Sequence, residues 1–160
     1  TFVTVAYEFR QDGELCIEEE QDIVYREPGQ PVPAPEPIAA AAMPDGDWIR
    51  DVSADPRLLF RFSALTFNAH RIHYDRRYAR DEEGYPGLIV HGPLTAVMLA
   101  EMTRAKSDRR ISAFRFRGKA PLFDLHPFRL IGRPDGDRVE LEVCGPDGRT
   151  TQEAIAELSE

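Results

Sequence analysis

The sequence predicts an α+β fold in which a curved antiparallel sheet wraps around one long central helix. Three observations carry that expectation. Gly92-Pro93 signals a helix start, because a permissive residue precedes a proline at the first helical position, where its missing N–H is harmless. From Leu94 to Met102 only Thr95 and Glu101 are polar, so this helix is apolar nearly all round and is expected to be buried on most sides. Most other apolar runs alternate with polar residues at the period of strands and are parted by Gly- and Pro-containing turns, and one helix among such strands is an α+β pattern.

Taken in order, Val3, Val5, Tyr7 and Phe9 alternate with Thr4, Ala6, Glu8 and Arg10, and Leu15, Ile17, Ile23, Val24 and Tyr25 follow Asp12-Gly13. Residues 1–26 therefore read as a β-hairpin, which is marginal alone and should pair with something else. Pro28, Pro31, Pro33, Pro35, Pro37 and Ala39 to Ala42 make residues 27–47 read as an extended linker, since prolines cannot hold a ladder. The main domain is expected over residues 48–160. Within it Leu58 to Phe67, rich in apolar and aromatic residues, reads as a strand, and Asn68 to Pro86 as a polar segment. Beyond the helix, Ser112 to Lys119, Pro127 to Gly132, Val139 to Val143 and Thr150 to Leu158 read as strands, with tight turns at Pro134-Asp135-Gly136 and Pro146-Asp147-Gly148.

The chain has 160 residues and 42% hydrophobic content, enough to bury a core. Its 28 acidic against 20 basic residues give a formal charge of -8, a field that repels nucleic acid and anionic membrane surfaces. Only Lys106 and Lys119 are lysines, so the abundance of Arg reads as a compositional bias and carries no functional weight. Cys16 and Cys144 lack metal-ligand spacing and are too few for a secreted disulfide framework, which points to a reducing, cytoplasmic setting. No apolar run reaches the ~18 residues a bilayer span needs. Thr1 opens inside an alternating stretch without an initiator Met, as expected if it is not the natural start of the polypeptide.

His70, His73 and His91 fall between the expected first core strand and the helix, and only His126 lies elsewhere. The segment Asn68-Ala69-His70-Arg71-Ile72-His73, followed by Val90-His91-Gly92, resembles the MaoC-like hydratase and dehydratase family of hot-dog proteins. Within that family it is most similar to the branch of 3-methylfumaryl-CoA (mesaconyl-C4-CoA) hydratases and type 2 hydroxyacyl-thioester dehydratases. The likeness is strong from Leu59 to Ala96 and looser from Trp48 to the end. It implies a hot-dog fold, a site formed where two such units meet, and hence a homodimer or pairing with a second hot-dog half. It also implies an acyl-CoA or acyl-carrier-protein thioester as substrate, with coenzyme A as part of that substrate and no separate cofactor. Residues 1–26 then resemble the tail of a preceding hot-dog half.

The chemistry fits the same residues. Hydrating an enoyl thioester needs a donor for charge on the thioester oxygen, a group that activates water, and a proton for the neighbouring carbon. An unpaired N–H at a helix N-terminus suits the first need, and Gly92 has no side chain to block a thioester. His73 suits the second and third, since imidazole titrates near neutral pH. Asn68 stands where the broader family has Asp; an amide can hold a water but cannot take its proton, which leaves proton transfer to His73, alone or helped by a carboxylate such as Asp75. Asn68 can also be read as a turn residue that ends a strand. His91 can orient the substrate carbonyl, or serve as a cap or packing residue, and His70 and Arg71 complete the substrate-binding candidates. His70, His73 and Asp75 match no zinc pattern, so no metal is expected. Two other readings stay open: a fatty-acyl carrier-protein dehydratase sharing these residues, and a non-catalytic acyl-thioester-binding hot-dog protein.

Overall fold

The computed structural model describes residues 1–25 and 31–160, and the chain divides into two compact units, Thr1–Gln30 and Pro31–Glu160. Pro28 and residues 27–30 of the expected linker lie outside the described residues. In the first unit β1 (Phe2–Gln11) pairs antiparallel with β2 (Glu14–Val24). Asp12 and Gly13 between them have φ of 51° and 88°, the two positive values that a two-residue hairpin turn matching strand twist requires.

The second unit begins with residues 31–47, whose only regular element is one 3-10 turn at Ala40–Ala42. Ile38 N–H donates to the Pro146 carbonyl and Val32 N–H to the Gly84 carbonyl, so the segment is tied down. It leads to β3 (Trp48–Val52), then α1 (Pro56–Leu65), α2 (Arg76–Asp81) and α3 (Gly92–Lys106). Strands β4 (Arg110–Gly118), β5 (Phe128–Asp135), β6 (Arg138–Cys144) and β7 (Thr150–Ser159) close the chain. The sheet is antiparallel with spatial order β3-β5-β6-β7-β4, and α3 packs on β4 to β7. Leu94, Leu99 and Met102 of α3 meet Leu130, Val139, Leu141, Val143, Ala154 and Ala156 in one core.

Three expectations need correcting. Leu58 to Phe67 is not a strand: Pro56–Leu65 is helical. Asp55 caps it by accepting the Arg57 N–H at 2.7 Å, and Pro56 occupies the first turn, the same start signal that marked α3. Leu59 and Ser63, four apart, are buried, while Phe60, Leu65 and Phe67 point outward at 59%, 80% and 95% exposure. Those outward apolar residues filled the gaps of the helical period and made the run look like a buried strand. Second, α3 buries one face and leaves Val97 58% exposed, because the sheet covers only one side of it. Third, β5 runs on through Pro134 to Asp135, and Gly136 with φ 58° makes the turn. Pro134 is tolerated because β3 pairs only as far as Gly132, so the missing N–H faces an unpaired edge. The short β3, interrupted by Arg50 and Asp51, carried too little alternation to be read.

Candidate active site

The site starts at the end of α1. Asn68 N–H reaches the Ser63 carbonyl at 2.9 Å and Phe67 N–H the Ala64 carbonyl at 3.4 Å, the paired bonds of a Schellman ending. That motif needs a left-handed residue, and Phe67 supplies it at φ 53°. The chain is thereby turned into Asn68, whose Oδ1 accepts the His70 N–H at 3.0 Å, and into the 3-10 turn Arg71–His73.

His73 is 8% exposed, and its Nδ1 lies 2.8 Å from the Ile89 carbonyl. A carbonyl only accepts, so Nδ1 carries the hydrogen and neutral His73 presents a bare Nε2. Nε2 has no hydrogen-bond partner among the described residues. Ile89 is in turn held fast: its N–H donates to the Ile72 carbonyl at 3.0 Å, and it bridges Phe123. Asp124, with a side chain only 1% exposed, accepts the Leu88 N–H at 2.9 Å and pairs with Arg76. Gly87 is required here, since a Cβ on it would lie 2.8 Å from Asp124 Oδ1.

The His91 ring stacks on that of His73, with centroids 3.7 Å apart and planes 16° from parallel. His91 Nε2 bonds Ser63 Oγ at 2.9 Å, the Phe62 ring packs edge-on at 4.9 Å, and only 1% of the residue is exposed. Burial, reinforced by the neighbouring His73, pushes the His91 pKa down to about 4. Burial also lowers that of His73, against the opposing pull of the Ile89 carbonyl. Both imidazoles are therefore neutral at pH 7. His91 is also the residue before Gly92, the first residue of α3, so the stack sets His73 beside the helix N-terminus. Gly92 is exposed, and its N–H is one of the first-turn amides that no helix can pair internally.

The structure thus brings His73, His91 and Gly92 together, and places the exposed His70 ring edge-on to His73 at 5.9 Å. Asn68 is half-buried and serves the turn just described. Arg71 points elsewhere: it pairs with Asp75 at 2.8 Å, covers the Tyr78 ring at 4.2 Å, and lines an open cleft of about 330 Å³ whose walls include neither His73 nor Gly92. Asp75 is committed as well, capping α2 through the Tyr78 N–H at 3.0 Å while it binds Arg71. Those bonds hold its carboxyl below the ordinary range, which makes it a poor base. Among the described residues no three His, Cys, Asp or Glu side chains converge to hold a metal ion.

Sequence reasoning missed Ser63, Asp124 and Gln152. Ser63 was hidden by the misread helix. Asp124 is 36 residues from Leu88 and Gln152 is 57 from its partner Thr95, and no local pattern marks either.

Comparison with known proteins bears on this arrangement. The family model described as hydroxyacyl-thioester dehydratase type 2 matches residues 1–124. A mesaconyl-C(4)-CoA hydratase of Chloroflexus aurantiacus is 64% identical over 157 residues, 98% of this chain and 56% of that protein. A mitochondrial hydroxyacyl-thioester dehydratase type 2 of Schizosaccharomyces pombe is 33% identical over 120 residues, 73% of this chain and 39% of that one. The chain thus spans about half the length of the first relative and less of the second. Among solved structures, HtdX of Mycobacterium tuberculosis matches at TM-score 0.73 and 17% identity, over 98% of this chain and 61% of that one. The structural likeness shows the fold, a hot-dog fold.

Proposed function

We propose, from the premise that the chain belongs to the hydroxyacyl-thioester dehydratase type 2 family, that it carries the hydro-lyase site of a longer polypeptide. The reaction is reversible hydration of a short 2-enoyl-CoA of the 3-methylfumaryl type. The observation that carries this reading is the stacked His73–His91 pair beside Gly92, with His73 Nδ1 fixed on the Ile89 carbonyl. In the hydration direction, His73 Nε2 takes a proton from water as the water oxygen bonds to C3 of the enoyl group. The π electrons of the C2–C3 bond move onto the thioester oxygen, where the Gly92 N–H and the α3 dipole stabilise the charge. The imidazolium then returns the proton to C2, so that one water is added and His73 is restored. Asn68 holds the water and carries no proton. His91 keeps the His73 ring in place, and His70 lines the same approach. The reaction needs no cofactor besides the coenzyme A of the substrate.

The sequence likeness to mesaconyl-C(4)-CoA hydratase favours a short, carboxylated acyl group, and the likeness to the S. pombe dehydratase keeps a carrier-bound 3-hydroxyacyl thioester as the second reading. Phe60 and Leu65 of α1, Phe67 just after it and Val97 of α3 are exposed apolar residues on the elements that carry the site, which supports their being covered by a second copy or a second hot-dog half. Cys16 and Cys144 are free thiols, in keeping with a cytoplasmic setting. No helix among the described residues is long and apolar enough to cross a membrane. Hydration of enoyl-CoA esters graded by chain length, measured on the full polypeptide, tests the proposal. The His73→Ala variant should lose about 10²- to 10⁴-fold in turnover. Wild-type turnover in that variant would remove His73 from the mechanism, and binding of CoA esters without turnover by the wild type would leave a binding protein.

A further inference from the structure

Ser63 lies on the buried face of α1, one turn beyond Leu59. Its hydroxyl meets His91 Nε2 at 2.9 Å across 28 residues. Thr66 and Thr103 return their hydroxyls to the carbonyl four residues earlier, but Ser63 does not, and His91 is its one side-chain partner among the described residues. The hydrogens can be placed in two ways. If His91 Nε2 donates, the Ser63 hydroxyl hydrogen and a bare His91 Nδ1 are both left in the dry interior without partners. If the Ser63 hydroxyl donates, the Nδ1 hydrogen is the only hydrogen or ring nitrogen left over. Each buried group without a partner is costly, so the second arrangement is the stable one. It leaves His91 no free lone pair, since Ser63 fills Nε2 and Nδ1 carries a hydrogen.

The consequence falls on His73. The His91 ring covers one of its faces at 3.7 Å, and the Ile89 carbonyl holds its Nδ1. In the hydration proposed above, His73 is an imidazolium between taking the proton and returning it. A neighbouring imidazole with an open lone pair would compete for that proton, and one free to turn would let water onto the covered face. The titratable groups that face His73 are His91, at the entry to α3, and His70, on its own turn. Against His91, α1 sets the Phe62 ring and the Ser63 hydroxyl, neither of them charged. Burial is the main cause that lowers the His73 pKa, so the cover bears directly on its basicity.

We propose that Ser63 is a positioning residue: by donating to His91 Nε2 it fixes that ring as a neutral, dry cover on His73, so that His73 alone carries the proton of the reaction. This rests on the hydratase reading for the work of His73 and adds the group that keeps the proton there.

The test uses the full polypeptide with Ser63→Ala, Ser63→Thr, His91→Phe and the double variant Ser63→Ala with His91→Phe. Hydration is measured on a four-carbon enoyl diacid monothioester of coenzyme A, with crotonyl-CoA beside it. Ser63→Ala should lose about 10- to 100-fold in kcat while KM stays within about threefold. The acid limb of its pH profile should move up toward the ordinary imidazole range, as water reaches His73. Ser63→Thr keeps the hydroxyl and should restore both. On the His91→Phe background the same Ser63→Ala change should cost less than about threefold, because its route to His73 is gone. A loss that multiplies through that background, a loss without movement of the acid limb, or no loss at all overturns the proposal. Nuclear magnetic resonance of the ring nitrogens separates the two readings, since it needs no turnover. If the wild type hydrates neither ester, the hydratase reading fails, yet a His73 that titrates higher in Ser63→Ala than in the wild type still supports the role of Ser63. An unmoved His73, or a wild-type His91 with its hydrogen on Nε2, refutes it. If Ser63→Ala does not fold, as judged by its melting temperature, Ser63→Cys keeps the volume with a weaker donor and should show the same changes to a smaller degree.

Discussion

Acidification should destabilise this protein through His91, by an amount that can be worked from its surroundings. Its pKa is about 4 in the fold against 6.5 for an unperturbed imidazole. Between those values the unfolded chain binds the proton and the folded one does not, so stability is complete above about pH 6.5 and declines as pH falls toward 4. At about 1.4 kcal/mol per pH unit the full loss is about 3 kcal/mol, of which about 2 kcal/mol appears between pH 7 and 5. His73 is shifted the same way and adds to the decline. Asp51, Asp55 and Asp75 are held below their usual range by Arg or backbone partners and act at lower pH. His91→Phe isolates the effect, because the ring still stacks on His73 while the titrating nitrogen is gone. That variant should be less stable at pH 7, having left Ser63 Oγ without its partner, but its stability should fall less with pH. Urea unfolding followed by circular dichroism at several pH values between 7 and 5 measures both. The gap between wild type and variant should narrow by about 2 kcal/mol over that range; parallel curves would show that His91 is not a buried neutral imidazole and would undo the stacked-pair account.

Gly92→Ala should fold as well as the wild type, since the added methyl meets its nearest neighbour at 3.9 Å, and helix propensity favours it by up to about 1 kcal/mol. Turnover should nonetheless fall about 10²-fold as the methyl displaces the thioester, and unchanged turnover in a stable variant would move the thioester elsewhere. Asp124→Ala strips the acceptor from the buried Leu88 N–H, for about 1 to 3 kcal/mol in thermal or chemical unfolding, and should slow turnover by releasing the Ile89 carbonyl that holds His73. Arg76→Ala leaves the Asp124 carboxylate, 1% exposed, without its cation and should also destabilise, while Leu88 keeps its acceptor and turnover changes less than in Asp124→Ala; equal losses of turnover would make the ion pair the important contact. Phe67→Gly removes a left-handed conformation that costs an L residue about 1 to 2 kcal/mol and should raise stability by about 0.5 to 1 kcal/mol after glycine's greater chain entropy is counted. A drop in melting temperature would mean that the outward Phe67 side chain makes a contact worth more than that strain.

What the sequence determined by itself was local. Asp12-Gly13 and Gly92-Pro93 act within a few residues, so a hairpin and the start of α3 could be read from backbone preferences and alternation alone. The histidine cluster and the Val90-His91-Gly92 entry marked the candidate site by the same adjacency. The Asp55-Pro56 start of α1 was equally present, but outward Phe60, Leu65 and Phe67 masked its period, because an apolar residue does not declare which way it faces. Tertiary structure alone decided the rest. His73 obtains its tautomer from a carbonyl 16 residues away, and Gln152 meets Thr95 across 57 residues. Hydrogen bonding and proton affinity depend on which groups share a dry space, and that space exists only after the sheet has closed over α3.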